Sequence, residues 1–349
     1  SEPLVKHYSP ALNQTYPDHV YWGDTHLHTS LSWDAYNFGN RLGPDIAYRY
    51  AKGETITAND GQPAQINRPL DFLVVADHAN NMGVRQGFVA KDPRVLSSEV
   101  GRRVFDQIEK LAGMADSDEK KQLSFTIFQA GFLDGNMAET SYHQSIWDRV
   151  ISLADQHNDP GRFTAFIGYE WTQTFYNLHR VVIFKDDASK AGQVIPFSQY
   201  DSSDPEDLWD YLSGYEQKTG GEVLAIPHNG NMSRGVMFAL EDVNGNAFSE
   251  DYAKMRSRWE PLYEVVQTKG DGETHPVVSP NDEFSDYERN SFAPLKADSW
   301  QEATKKKRGL THYNHWEKIN NEKFDYGWQR QYEYARPALK FGLKEQARL

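Results

Sequence analysis

The chain contains no cysteine. This absence excludes disulfides, thiolate metal sites and cysteine nucleophiles, so any bound metal would need histidine, aspartate and glutamate ligands. Because cysteine is also the residue that reports on redox compartment, composition does not indicate one.

Long apolar runs and positive charge are also scarce. No apolar stretch approaches the roughly 18–20 residues of a membrane-spanning helix, so we expect no membrane span. The 37 Lys and Arg are outnumbered by 50 Asp and Glu, and the formal net charge is −13. Nucleic acids and anionic membranes bind basic surfaces, so neither is an expected partner. The one basic run, residues 305–308, is expected to be a solvated helix face or turn.

The sequence begins with Ser1 rather than methionine and shows no signal peptide. We therefore expect a processed form that is periplasmic or secreted, with a cytoplasmic location as the alternative.

The residues that are present favour one large α/β domain over positions 1–349. The chain is 38% hydrophobic and includes 9 Trp, 19 Tyr and 18 Phe, enough for a large core. Short apolar runs alternate with helical patterns, which indicates a largely parallel sheet. We expect a helical insertion at residues 80–140, and loops and helices at residues 270–349. The expected strands are residues 20–24, 71–76, 163–169, 180–184, 222–226 and 263–267, and the expected helices include residues 44–52, 94–112, 142–156 and 205–215.

The most informative motif is His26-Leu-His28, which follows an apolar run expected to be a buried strand. Side chains two residues apart in a strand point to the same face. Two imidazoles directed at one point form half of a metal site. The alternative is a pair of hydrogen-bonded histidines at a strand end.

Further potential ligands follow other expected strands. Asp77-His78 ends the second strand, Glu170 ends the third, and His228 ends the fifth. The carboxyl ends of parallel strands converge on one face of an α/β sheet, where active sites lie. We therefore expect these side chains to meet in a metal centre.

These motifs resemble those of the polymerase-and-histidinol-phosphatase (PHP) superfamily of metal-dependent phosphoesterases. Over nearly the whole chain the sequence is also similar to an uncharacterised, often exported branch of that superfamily, which is known only as a domain of unknown function. The motifs that carry the resemblance are Tyr21-Trp-Gly-Asp-Thr-His-Leu-His-Thr29, Val75-Ala-Asp-His78, Gly168-Tyr-Glu-Trp-Thr172, Asn177-Leu-His-Arg180, Ile226-Pro-His-Asn-Gly230 and Lys269-Gly-Asp-Gly-Glu-Thr-His-Pro276.

The resemblance implies a distorted PHP-type (β/α)7 barrel with two or three divalent metal ions, Zn, Mn or Fe. His26 and His28 would hold the first metal, and Glu170 would bridge it to a second. The remaining implied ligands are His179 and His228 on the second metal, and Asp34 and His78 on the third. For His179 the alternative is a surface position on a turn before a strand.

Several neighbouring residues are expected around the ligands. Asp77 is expected to orient a histidine from behind the ligands. Glu264 is expected at the edge of its strand, and Glu273 and His275 in a loop that could cover the metals. The other histidines are expected on the surface: His143, His157, His312 and His315.

One departure from the PHP pattern concerns the end of the chain. The superfamily closes its site with a late Asp-x-His motif, and no such motif occurs between residues 276 and 349. The resemblance therefore implies that the chain is incomplete at its C-terminus and that the remainder of the protein, as a separate fragment, completes the site.

The leading functional hypothesis is metal-dependent hydrolysis of a small phosphorylated or other anionic substrate. Clustered divalent ions lower the pKa of a bound water and hold the attacking and leaving oxygens. An anionic substrate in an acidic protein also needs cations; Arg234, Arg180 and Lys269 are candidates, with surface salt bridges as their alternative role.

Two other functions remain open. An amidohydrolase-like barrel also begins with His-x-His. A non-catalytic, metal-stabilised binding module could use Trp171, Phe175, Tyr176 and Trp209 in a ligand groove, although core packing is the other reading of these aromatics.

Overall fold

The computed structural model describes residues 19–276, 278–287 and 332–348. The strands in these ranges are β1 Gly23–Leu27, β2 Ile56–Thr57, β3 Pro63–Ala64, β4 Phe72–Val75, β5 Thr164–Gln173, β6 Leu178–Phe184, β7 Val223–His228, β8 Val266–Gln267 and β9 Gly270–Asp271. The helices are α1 Trp33–Asn37, α2 Pro44–Ala51, α3 Val84–Ala90, α4 Pro93–Leu96, α5 Glu99–Ala112, α6 Asp118–Leu133, α7 Thr140–His157, α8 Ala188–Ala191, α9 Pro205–Thr219, α10 Glu250–Trp259 and α11 Ala335–Arg348. A 3₁₀ turn, Gly230–Met232, follows β7.

The main sheet is mixed rather than largely parallel. Its order is β1-β4-β5-β6-β7, and it curls into a half-barrel. The pairs β1–β4 and β4–β5 are parallel, whereas β6 is antiparallel to both β5 and β7. Four strands therefore run in one direction, and the start of β6 lies at the edge of the sheet where those four end. The expected α/β class is confirmed, and the reversed β6 was not foreseen.

The first expected strand was wrong in its burial and its start. Val20, Tyr21 and Trp22 are 71%, 68% and 55% exposed, and β1 begins after them. The Trp22 carbonyl still accepts a hydrogen bond from the Asp71 main-chain N–H, and the Trp22 N–H donates to the Asp71 side-chain carboxylate.

Two other strands differ from expectation in length. β5 continues past Glu170 to Gln173, so Glu170 lies within the strand rather than at its end. The pairing with β6 sustains this extension, since Thr172 lies opposite His179. The strand expected at residues 263–267 is reduced to Val266–Gln267, which pairs with β9 in a short hairpin outside the main sheet.

The helices follow their sequence signals closely. In α9, the Asp204 side chain accepts a hydrogen bond from the Glu206 main-chain N–H, and Pro205 occupies the first turn, as expected. The helix expected at residues 94–112 is instead two helices, because the Ser98 hydroxyl accepts from Gly101 N–H and caps a new start. The expected insertion at residues 80–140 is helical, containing α3 to α6.

The aromatic residues mainly build the core. Trp171 and Tyr176 are fully buried, and Phe175 and Trp209 are nearly so. Core packing of these four side chains is therefore confirmed, and the ligand-groove alternative was wrong for them. None of the described helices is long and apolar enough to cross a membrane.

Candidate metal centre

The sheet topology brings the candidate ligands to one edge. β1, β4 and β7 end there, and they place His28, His78 and His228 at or just beyond their last residues. His179 reaches the same edge because β6 starts there, and it pairs directly with His228. Glu170 forms an isolated parallel bridge with His78 one strand away.

Glu170 lies in the middle of the candidate ligands. Its side chain is fully buried, and each carboxylate oxygen faces a different set of imidazoles. Oε1 lies 2.6 Å from Nδ1 of His179 and 2.9 Å from Nε2 of His228. Oε2 lies 2.9 Å from Nδ1 of His78, 3.0 Å from Nε2 of His28 and 3.4 Å from Nε2 of His26. Five histidines thus surround one carboxylate.

A second carboxylate, Asp34 in α1, lies next to the ring nitrogens of His28 and His78 that face away from Glu170. Its Oδ2 lies 3.3 Å from Nε2 of His78, and its Oδ1 lies 3.5 Å from Nδ1 of His28. Ser32 donates a hydrogen bond to Asp34 Oδ1 at 2.6 Å and also contacts His28 Nδ1. Both ring nitrogens of His28 and of His78 therefore face a carboxylate.

Four overlapping groups of these side chains could hold a metal ion. Within each group the ligand atoms lie within 4.8 Å of one another. The groups are His26, His28 and Glu170; His28, Asp34 and His78; His78, Glu170 and His179; and His26, His228 and Glu264. Imidazole nitrogens and carboxylate oxygens are a donor set that suits divalent Zn, Mn and Fe.

Buried polar atoms without partners support the fit to metal ions. Glu170 Oε2 accepts no well-aligned hydrogen bond from the described residues, although three imidazole nitrogens lie close to it. His179 Nε2 and His228 Nδ1 are also buried without a hydrogen-bond partner there. Leaving buried polar atoms unsatisfied costs about 1–3 kcal/mol each. A cation among these atoms would satisfy the lone pairs that the protein leaves unpaired.

The electrostatics divide the histidines into two sets. Burial opposes the charge of His28 and His78, yet the nearby carboxylates raise the pKa of each to about 9. Burial instead lowers the pKa of His179 to about 4 and that of His228 to about 3. Neutral imidazole is the ligand form, so His179 and His228 are ready to bind metal at neutral pH.

The two carboxylates at the core of the centre stay ionised. Burial alone would favour the protonated acid, but electrostatic interactions with the imidazoles of His78, His179 and His228 hold the pKa of Glu170 well below its usual value. His78 and His28 similarly hold the pKa of Asp34 well below its usual value. Both side chains therefore present anionic oxygens, as a cation site requires.

The chain matches a known protein family over most of its length. A sequence model of the family described as protein of unknown function (DUF3604) matches residues 15–349. The chain belongs to the DUF3604 family. No curated protein and no solved structure matches it.

In this DUF3604 chain, all seven predicted ligands lie together: His26, His28, Asp34, His78, Glu170, His179 and His228. His179 is buried, so its alternative as a surface residue was wrong. Which metal each residue would bind stays a prediction.

Asp77 has a different role from the one expected. Its carboxylate is buried and accepts hydrogen bonds from the main-chain N–H and the hydroxyl of Thr29, rather than orienting a histidine ring. It points away from the histidines because it alternates with His78 along the chain. Since Thr29 follows His28, Asp77 fixes the main chain that carries two of the ligands.

Glu264 is the site residue that sequence reasoning missed. Its Oε2 lies 2.8 Å from His26 Nδ1, while His26 Nε2 faces Glu170. A hydrogen bond from Glu264 N–H to the Pro227 carbonyl anchors this segment beside β7. The available signal was a charged residue inside the apolar run of residues 263–266.

Other candidates lie away from the metal ligands. Glu273 pairs with Arg336, and the His275 ring contacts Tyr334 rather than any of the four ligand groups. His143 is half-buried rather than on the surface, and burial lowers its pKa. His157 is also half-buried and lies 2.9 Å from Asp45. His312, His315 and the basic run at residues 305–308 lie outside the described residues.

The three basic side chains that are candidates for substrate binding have different surroundings in the structure. Arg180 is buried and pairs at 2.9 Å with Glu260, which also accepts a hydrogen bond from Trp209, so its role is structural. Arg234 is half-buried in left-handed backbone, φ 57°, and does not line the cavity over the centre. Lys269 does line that cavity, together with His26, His28 and Asp34.

Proposed function

We propose that this protein is a metal-dependent phosphoesterase with a PHP-type centre of two or three divalent ions. The observation that carries the proposal is the position of Glu170, whose two oxygens face separate sets of histidines. A carboxylate between two such sets is suited to bridge two metals. The complete (β/α)7 barrel implied by the PHP resemblance is part of the same proposal.

The residues divide among the proposed ions by their contacts. His26, His28 and Glu170 would hold one ion, and His179, His228 and Glu170 a second. Asp34 and His78, with His28 adjacent, would hold a third. When bound, such ions supply an activated water and electrophilic contacts to the phosphoryl oxygens.

Side chains next to the proposed ligands hold the histidine rings in position. Ser32 and Thr172 hydrogen-bond to Nδ1 of His28 and of His78, and Glu264 does the same for His26. Such outer contacts fix the orientation of each imidazole and strengthen it as a ligand. Asp77 holds Thr29, and hence the end of β1, in place. The cavity in front of His26 and His28 would receive the substrate.

The test compares three esters on the metal-loaded protein: p-nitrophenyl phosphate, bis(p-nitrophenyl) phosphate and p-nitrophenyl acetate. We expect hydrolysis of at least one phosphoester that depends on added Zn, Mn or Fe. Glu170→Gln should reduce that rate by roughly 100-fold or more. Glu222→Gln, at an exposed residue paired with Lys185, is the matched control and should leave the rate unchanged.

Two results would contradict this function. One is a Glu170→Gln protein that retains metal-stimulated phosphoester hydrolysis. The other is a metal-loaded protein that cleaves only the carboxylic ester, which would favour the amidohydrolase alternative.

A further inference from the structure

The entrance to the metal centre is a cavity of about 510 Å³. One wall is β1 with His26 and His28, and Asp34 lies beside them. The opposite wall is the β8–β9 hairpin with the residues just before and between its strands. The cavity in front of the ligands therefore lies between β1 and this hairpin.

The hairpin is fixed to the elements that carry the ligands. Gln267 donates a side-chain hydrogen bond to Asn229, the residue after His228. Asn231 Nδ2 donates to the main-chain carbonyl of Lys269 at 3.3 Å. Together with the contact between Glu264 and His26, these bonds hold the turn of the hairpin at a set position over the centre.

Lys269 occupies that turn and, among the described residues, is the only lysine or arginine lining the cavity. Its side chain is half-buried, and it forms no ion pair with a described residue. An ammonium next to a site for divalent cations is repelled by them. An anionic group bound between the two would remove this repulsion.

The rest of the cavity wall limits how much negative charge a substrate can carry. Asp24 and Glu264, which are outside the proposed ligand set, also line it, and the whole chain has a net charge of −13. A second phosphate outside the metal centre would meet carboxylates rather than cations. Thr25, Gln267 and Thr268 add groups that hydrogen-bond to hydroxyls. The wall therefore favours one phosphoryl group on an uncharged, hydroxyl-bearing remainder.

Resting on the function proposed above, we propose that Lys269 binds a non-bridging oxygen of the substrate phosphoryl group and that the substrates are small phosphomonoesters of polyols or sugars. The hairpin presents the ammonium, the metal ligands lie opposite, and the phosphoryl group fits between them. Polyphosphates and nucleic-acid strands are excluded by the acidic wall.

The decisive experiment measures binding of inorganic phosphate to the metal-loaded protein by calorimetry, which needs no turnover. Lys269→Gln should weaken phosphate binding by roughly 10- to 100-fold, the range for loss of a charge-assisted contact. Lys269→Arg keeps the charge and should restore most of the affinity. Lys254→Gln, at an exposed residue paired with Glu250 on α10, is the matched control and should bind phosphate as wild type does. Metal content and melting temperature verify that each variant is folded and loaded.

Substrate class is tested on the same proteins. Glycerol 2-phosphate should be hydrolysed with a higher kcat/KM than pyrophosphate or a short oligonucleotide, and Lys269→Gln should raise its KM more than it lowers kcat. Unchanged phosphate affinity in Lys269→Gln, or no phosphate binding by the wild type, would overturn the role of Lys269. A preference for pyrophosphate or the oligonucleotide would overturn the substrate class.

The two proposals fail in different ways. Phosphate binding that depends on Lys269, without hydrolysis of any phosphoester, would contradict the phosphoesterase and leave the anion site standing. Phosphoester hydrolysis that is unchanged in Lys269→Gln would contradict the role of Lys269 and leave the phosphoesterase standing.

Discussion

The two sides of Glu170 differ in access and in charge. The Oε1 side, formed by His179 and His228 on β6 and β7, is buried, and His228 is fully so. The Oε2 side, formed by His26, His28 and His78 with Asp34, faces the cavity, and the side chains of His28 and Asp34 are 17% and 21% exposed. Burial lowers the pKa values on the Oε1 side, whereas carboxylates raise them on the Oε2 side.

In the proposed centre, one carboxylate would serve two sites with different tasks. The Oε1 side is preformed, because its histidines are neutral and held between paired strands. The Oε2 side would have to lose protons before it binds metal, and it faces the cavity that a substrate would enter. We expect perturbations on the two sides to have separable effects.

Loss of a ligand should have the largest effect. His228→Ala on the Oε1 side and His26→Ala on the Oε2 side should each remove about one metal per chain and lower phosphoesterase activity by roughly 100-fold or more. Elemental mass spectrometry and steady-state kinetics check both. His157→Ala, at a histidine away from the centre, is the control. Full metal content in either ligand variant would break the division into two sides.

A substitution at Thr29, next to His28 on the Oε2 side, should have a smaller effect than the loss of a ligand. Thr29→Val removes the hydroxyl that donates to Asp77, so a buried carboxylate oxygen loses a partner. We expect the free energy of unfolding to fall by about 1–3 kcal/mol, with metal affinity weakened by roughly 10- to 100-fold. Denaturant titration and metal titration measure the two. Thr57→Val, at an exposed strand residue, should change neither, and equal metal affinity in the Thr29→Val protein would count against this role.

Removing the metals should lower the melting temperature. Ions that bind only the folded protein stabilise it, and a chelator should therefore reduce Tm by roughly 5–10 °C. The His26→Ala and His228→Ala proteins should each show a smaller chelator effect than the wild type. A Tm that does not respond to the chelator would contradict bound metal on both sides.

The smallest expected effect is the number of protons released when metal binds, and it distinguishes the Oε1 side from the Oε2 side. At pH 7 the metal-free protein should carry protons on His28 and His78, whose pKa values are about 9, but not on His179 and His228. Metal binding at pH 7 should therefore release about one to two protons, all from the Oε2 side. Calorimetry in buffers of different ionisation enthalpy counts them. Release of none would show that the two sides do not differ in this way.

The same pKa values set the pH dependence of the metal-free fold. His28 and His78 titrate above their unfolded value of 6.5, so their contribution to stability is full below about pH 6.5 and is lost as pH rises through about 9. His179 and His228 titrate below 6.5, so their contribution is present above that pH and is lost as pH falls toward about 4 and 3. Denaturation at several pH values measures both limbs, and a metal-free stability that is flat from pH 5 to 9 would contradict them.

Much of the centre could be predicted from the sequence because its ligands follow the apolar runs of strands. His26, His28, His78 and His228 lie at strand ends, and the alternation of strand side chains placed Asp77 on the other face. The helix cap at Asp204 was also readable, since its hydrogen bond is local.

The remaining features depend on contacts that are distant in sequence. Glu264 reaches His26 across 238 positions, and nothing near either residue reveals that pairing. The reversal of β6 follows from a tight connection after β5, which placed His179 in the centre from the start of a strand rather than its end. Tyr21 and Trp22 looked buried because apolar character does not distinguish an edge strand from a central one.

The most direct test of the central claim is the metal content per chain of wild type and Glu170→Gln, measured by elemental mass spectrometry after gentle desalting. The account predicts two or three equivalents of Zn, Mn or Fe in the wild type and a loss of at least one in Glu170→Gln, since both sides share that carboxylate. Zero or one equivalent in the wild type after loading, or an unchanged count in Glu170→Gln, would contradict a centre bridged by Glu170.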